Sequence, residues 1–275
     1  MIKKYDIEEI KDKAVKIRKL VLRALAEAGS GHTGGSLGMA DIFASLYFGL
    51  MTHDPQNPSL PERDRLILSI GHIAPVLYAS LATAGYFPEE EMLTLRKLGS
   101  RLQGHPGRDH GLPGIELSAG SLGQGFGAAV GMALAAKHNK QSHHIFCISG
   151  DGELQEGSIW EAAMSAAHYK LNNLLWIIDR NKLQIDGDTE KVMSLEPLDD
   201  KLTAFGWRVW HCQGNSVEDF LKTSRKAMNF NGIPSVIIAR TTMGKGVPEI
   251  ENKHEWHGKA PTKEQAEKWI ALLRN

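Results

Sequence analysis

Five short apolar runs, at residues 65–69, 144–149, 174–179, 207–211 and 235–240, constrain the fold more than any other feature of the chain. Each has the length of a buried strand, and helical patterns separate most of them. This alternation predicts a parallel sheet flanked by helices, an α/β fold with residues 1–275 as a single domain. Ahead of the sheet, Ile7, Ile10, Ala14, Ile17, Val21, Ala24 and Leu25 recur at helical spacing, and Asp6 and Glu9 offer a capping box. A closing helix is predicted over 262–273. No internal repeat or low-complexity tract interrupts the pattern.

In open α/β sheets, ligands collect at the carboxyl ends of the strands. Asp151, within Gly150-Asp151-Gly152-Glu153, leaves the second apolar run, and Asn181 leaves the third. An acid and an amide therefore share one rim, which suits a small, hard cation. Mg²⁺ prefers oxygen ligands and usually takes one or two carboxylates. Asp151, the Asn181 side-chain oxygen and a backbone carbonyl such as that of Leu183 could supply half its shell. Gly150 and Gly152 let backbone approach an anion, and a helix predicted over 158–169 stands close behind, which suits a diphosphate. Taken alone, a Gly-Asp-Gly run is more often a plain turn; the paired strand exits favour a site.

Length and charge narrow the class further. A chain of 275 residues can bury a sizeable core, and its 32 basic and 32 acidic side chains leave no net charge, so nucleic acid is not an expected partner. No apolar run reaches the length of a membrane span, and residues 1–6 lack the apolar core of a signal peptide; a cytoplasmic protein is expected. Cys147, in a predicted strand, and Cys212, after another, fit reduced packing thiols. The glycine-rich stretch 120–127 lacks the Lys-Ser or Lys-Thr of a phosphate loop and fits the dinucleotide fingerprint poorly. A tight turn into a helix over 126–137 accounts for its glycines almost as well as cofactor contact does. None of the twelve histidines shows a zinc-ligand spacing.

The stretch GDGELQEGSIWEAAMSAAHYKLNNLLWIIDRNKLQIDG resembles the thiamine-diphosphate motif of transketolases. Ser30-Gly31-His32, the run from Asp64 to His72, Gly104-His105-Pro106, the run from Gly120 to Gly125 and Trp256-His257-Gly258-Lys259 recur in that family in the same order. The resemblance spans residues 11–261. It implies a thiamine-diphosphate-binding fold with Mg²⁺ on Asp151, Asn181 and Leu183. His72 and His257 would face the diphosphate side of the cofactor, His32 and His105 the hydroxyls of a ketose donor, with His32, His105 and His257 as the catalytic set. Gly123 and Gln124 would lie near the cofactor, Leu122 against its thiazolium and Ile185 beside it, with Gly150, Gly152 and Glu153 in the diphosphate loop. Glu156 would lie at a contact between subunits, coupling cofactor sites there. Lys245 or Lys259 would help neutralise the diphosphate, or either is an ordinary surface lysine. Ile70 and Thr33 stand where many relatives carry a polar residue and proline, which touches fine substrate contacts.

The family has three domains in series, and this chain matches only the diphosphate-binding one. Absent is the domain whose glutamate promotes the imino form of the aminopyrimidine. The resemblance therefore implies the amino-terminal subunit of a split transketolase, pairing with a separate chain that carries the pyrimidine-binding domain in an α2β2 assembly. Together they would move a glycolaldehyde unit from a ketose to an aldose, both sugar phosphates of pentose phosphate metabolism. Rival readings are a deoxyxylulose-phosphate synthase relative, a transketolase for an unusual or sulfonated sugar, a noncatalytic cofactor-binding subunit, and an ordinary nucleotide-binding enzyme.

Overall fold

The computed structural model describes residues 6–274. Three helices come first, α1 (Ile7–Ala28), α2 (Thr33–Gly38) and α3 (Ala40–Ser45), followed by β1 (Arg65–Leu68), α4 (Ala74–Ala84) and α5 (Gln124–His138). Next come β2 (Ile145–Gly150), α6 (Gly157–His168), β3 (Leu174–Arg180) and a hairpin of β4 (Leu183–Gln184) with β5 (Gly187–Asp188). The chain continues through α7 (Thr189–Val192), α8 (Leu198–Ala204), β6 (Arg208–Gln213), α9 (Val217–Met228), β7 (Ser235–Arg240) and α10 (Lys263–Leu272). All five predicted strands and the predicted helices are present within a few residues of their expected limits. The expectation about a leader segment rests in part on residues 1–5, which lie outside the described residues.

The five longer strands form one sheet in the order β1-β2-β3-β7-β6, and every neighbouring pair is parallel. Successive side chains of a strand point to opposite faces, so a sheet covered on both sides needs apolar residues at every position. Phe146 and Ile148 of β2, with Leu175 and Ile177 of β3, enter the core shared with α1, α3, α4 and α9. Ile145 and Cys147, with Leu174, Trp176 and Ile178, enter the second core, beneath α5, α6 and α8. Cys147 and Cys212 are both buried and unpaired, as expected, although Cys212 lies within β6 rather than after a strand.

Local chemistry sets the helix ends. Asp6 Oδ1 accepts from Glu9 N at 2.7 Å and Glu9 Oε2 accepts from Asp6 N at 3.0 Å, the capping box read from the sequence, and Gly29 ends α1 at φ 66°. The last helix is capped in the same way by Thr262 and Gln265. Between them, Arg18 of α1 donates to both oxygens of Asp41 in α3 and to the Leu37 carbonyl of α2, a buried tie that joins the three opening helices.

Candidate functional site

The loops leaving β1, β2 and β3 meet at one end of the sheet. They enclose a cavity of about 380 Å³ lined by, among others, His72, Gly150, Asp151, Asn181, Leu183 and His257. The loop after β1 can come this close because residue 71 is glycine: a Cβ there would lie 2.2 Å from the Ala119 carbonyl oxygen. That contact sets His72 at the cavity wall.

Asp151 is buried and held on both oxygens. Its Oδ1 accepts from Gly152 N at 2.8 Å; its Oδ2 accepts from Lys182 N at 2.6 Å and from Arg180 Nη1 at 3.1 Å. Burial pushes its carboxyl up to about 6, against the pull of Arg180 and the two backbone N–H groups. Asn181 is oriented by its neighbours: its Nδ2 donates to Asp179 Oδ2 at 2.9 Å and its Oδ1 accepts from Leu183 N at 2.8 Å. Asp179 also accepts from the Thr241 hydroxyl, and burial, with Asp151 nearby, raises its carboxyl to about 7.

Glu153 ties the loops together. Its Oε1 accepts from Ser69 Oγ at 2.6 Å and from Gly123 N at 2.7 Å, while its buried Oε2 has no protein partner. Burial raises its carboxyl. Gly123 holds φ 82°, and a Cβ on it would lie 2.4 Å from Ser158 Oγ, so the turn into α5 requires glycine.

Three imidazoles cluster beside the cavity, and two of them, His72 and His257, line it. Ring centroids lie 4.9 Å apart for His32 and His72, 5.0 Å for His72 and His257, and 5.6 Å for His32 and His257. Burial, then the neighbouring histidines, lowers His72 to about 3; burial, then His257 and Arg96, lowers His32 to about 4. Burial also lowers His257. All three are therefore neutral near pH 7, able to donate at one ring nitrogen and accept at the other. The Nδ1 atoms of His32 and His257 are buried without a protein partner.

The structure thus brings His72, Leu122, Gly150, Asp151, Gly152, Glu153, Asn181, Leu183, Ile185 and His257 to one cavity wall. His32, His105, Gly123 and Gln124 do not line it. His32 reaches the site through its ring contacts; His105 lies against the loop after β1, its Cδ2 3.3 Å from where a Cβ on Gly71 would be. Lys245, which pairs with Glu251 at 3.5 Å, and Lys259, which lies over the Trp256 ring, do not line the cavity either. Glu156 is exposed at the cavity. The sequence reading overlooked Gly35, Ile73, Gln155, Asp179, Gln184 and Met243, which also line the cavity. Asp179 had one signal, a carboxylate closing an apolar run two residues before Asn181.

The donor set fits a hard cation with a diphosphate. Among the described residues, no group of three or more His, Cys, Asp or Glu side chains could hold a metal ion, so a cation here would draw on one carboxylate, one amide and a carbonyl, as Mg²⁺ does. No described lysine or arginine lines the cavity. Positive charge against a diphosphate would come from the cation, with backbone N–H groups and the unpartnered imidazole nitrogen of His257 as donors.

Residues 10–271 match the family described as transketolase, thiamine diphosphate binding domain. The chain is 46% identical over 271 residues to one of the named subunits of the apulose-4-phosphate transketolase of Actinobacillus succinogenes, spanning 98% of this chain and 97% of that one. It is 45% identical over 265 residues to the 6-deoxy-6-sulfo-D-fructose transketolase subunit SqwG of Clostridium sp. strain MSTE9, spanning 96% of each. Transketolase from Leishmania mexicana superposes with a TM-score of 0.91 at 32% identity, over 96% of this chain and 41% of that longer one. Among the described residues no helix is long and apolar enough to cross a membrane.

Proposed function

This chain belongs to the transketolase family, and from that premise we propose that it is the amino-terminal subunit of a split transketolase, binding Mg²⁺ and thiamine diphosphate. The observation that carries the reading is the convergence of Asp151, Asn181, Leu183, His72 and His257 on one cavity at the strand ends. Two relatives matched over nearly their whole length bear subunit names, which supports a separate partner chain. On this reading residues 1–275 form the diphosphate-binding domain. The partner carries the pyrimidine-binding domain, and two copies of each make a cytoplasmic α2β2 assembly.

Asp151, the Asn181 amide oxygen and the Leu183 carbonyl hold the cation, and His72 and His257 donate to the diphosphate. Gly150 and Gly152 bring backbone N–H groups beside it, Leu122 and Ile185 give apolar cover, and Gly123 and Gln124 place the loop that carries Leu122. When bound, the cofactor supplies the nucleophilic carbon that accepts a glycolaldehyde unit from a ketose and yields it to an aldose. Neutral His32, His105 and His257 orient the hydroxyls of the sugar and donate to the oxygen on which charge develops, a contribution that grows in the transition state. Their depressed basicity keeps a proton exchangeable at a ring nitrogen without a fixed charge.

A second reading concerns the sugar. Relatives at 46% and 45% identity are named for apulose 4-phosphate and for a sulfonated fructose, which favours a specialised ketose over a general pentose phosphate role. Glycolaldehyde transfer should be measured with Mg²⁺ and thiamine diphosphate, for this chain alone and titrated with a candidate partner, over a panel of phosphorylated and sulfonated ketoses. Activity that saturates with the partner supports the split enzyme. Full activity from the chain alone removes it.

A further inference from the structure

Gln155 ends the short helical turn after β2, and its backbone is fixed there: Leu154 before it is buried, and the Leu154 carbonyl accepts from Trp160 Nε1 at 2.8 Å. From this base the Gln155 amide reaches two later segments of the chain. Its Nε2 donates to Gln184 Oε1, in β4, at 2.8 Å and to the Met193 carbonyl, just after α7, at 2.9 Å. The Met193 end is anchored in turn, because Leu195 is buried and its N–H donates to Glu190.

Gln184 is the last residue of β4, and Ile185 follows it in the two-residue turn to β5. The base of this hairpin is held by its own N–H groups, Lys182 N donating to Asp151 Oδ2 and Leu183 N to Asn181 Oδ1. The tip has less to hold it. Among the described residues, Gln155 is the one side chain that hydrogen-bonds to residues 184–186. The same tip carries Ile185, which lines the cavity and is 63% exposed. A side chain so exposed has little packing to fix it, so its place follows from where Gln184 is held.

We propose that Gln155 is a positioning residue that ties the hairpin tip to the 193–195 segment across the loop after β2, and so holds Ile185 against the ring end of the cofactor. The inference rests on the cofactor-binding function proposed above and adds to it a residue that acts through Ile185. A group already held where a ligand needs it spares the cost of ordering it on binding. The diphosphate end, which Asp151, Asn181 and backbone N–H groups serve, does not depend on that tie.

The test is calorimetric titration of the full chain, in Mg²⁺, with thiamine diphosphate and separately with inorganic diphosphate, for the wild type, Gln155→Met, Ile185→Ala and the double variant. Methionine keeps the length of the side chain and loses both donated hydrogen bonds. The wild type should bind thiamine diphosphate more tightly than inorganic diphosphate, and Gln155→Met should cut that preference about tenfold, as two lost hydrogen bonds would. Ile185→Ala should cut it by about tenfold too, through lost apolar cover. The double variant should be no worse than Ile185→Ala alone, because the side chain that Gln155 positions is already gone. A preference unchanged in Gln155→Met overturns the inference, including the case in which both ligands weaken by one factor, as a merely structural role would have it; so do losses that add in the double variant. A wild type that binds both ligands equally tightly overturns it while leaving the diphosphate site standing. A wild type that binds neither removes the proposed function, and this inference with it.

Discussion

The carboxylate of Glu153 accepts the backbone N–H of Gly123 at 2.7 Å, so the glycine loop before α5 hangs from the loop after β2. Ser69, at the end of β1, donates to the same oxygen and in turn accepts from Phe126 N at 3.1 Å. Replacing Glu153 with alanine leaves two buried donors unpaired, a loss of roughly 1–3 kcal/mol for each. Glu153→Ala should lower the urea midpoint accordingly, whereas Glu153→Gln, which keeps the accepting oxygen, should remain close to wild type. Equal loss in both variants would point to the charge instead.

Asp151→Ala should weaken Mg²⁺-dependent binding of thiamine diphosphate by at least about 100-fold, since it removes the one carboxylate in the proposed ligand set. Arg180 keeps its pairs with Glu190 and Glu196, so the variant should still fold. Calorimetry together with circular dichroism separates the two effects, and unchanged affinity would refute the metal assignment.

The imidazole cluster predicts an acid limb. His32 and His72 titrate lower in the fold, at about 4 and about 3, than the usual value near 6.5. Between those values the unfolded chain binds more protons, so the stabilisation present above pH 6.5 is lost as pH falls toward 4 and then 3. Stability measured by denaturant between pH 7 and 4 should fall less steeply in His72→Phe than in the wild type. An identical slope would show that other groups set it.

Behind the residues that line the cavity, Arg18 and Asp41 form a buried pair, with Asn215 Nδ2 donating to Asp41 at 2.8 Å. Removing one partner of such a pair typically costs about 3–5 kcal/mol. Arg18→Met should lower the stability to unfolding by that much, measured as a shift of the urea midpoint; an unshifted midpoint would show that the pair contributes nothing net.

Glu156, exposed beside the cavity, is expected at a contact between subunits. If its carboxylate is paired there, Glu156→Ala should weaken association about tenfold, as charge pairs desolvated at interfaces do when one partner is removed. Sedimentation equilibrium of the chain with its partner checks this; an unshifted association curve would leave Glu156 a solvated side chain.

The sheet was legible because its inner strands are apolar on both faces: the run ending at Asp179 gave β3, and the run beginning at Ser235 gave β7. The capping box at Asp6 and Glu9 was legible because it is local. Contacts across long sequence separations were not, such as that between Ser69 and Glu153, 84 positions apart. Glu153 reads as a member of a cofactor loop, yet its Oε1 is taken by protein donors. Arg180 looks like a polar residue leaving a strand; only the return of the chain through Glu190 and Glu196 buries it. The β4–β5 hairpin, two residues on each side, carries too little pattern to be seen in advance.

Strand β6 closes one side of the sheet with Arg208, His211 and Gln213 exposed along it. A charged and polar border of this kind gives a stray extended segment no apolar ribbon on which to zip, so polymerisation through that edge is disfavoured even while the chain waits for its partner.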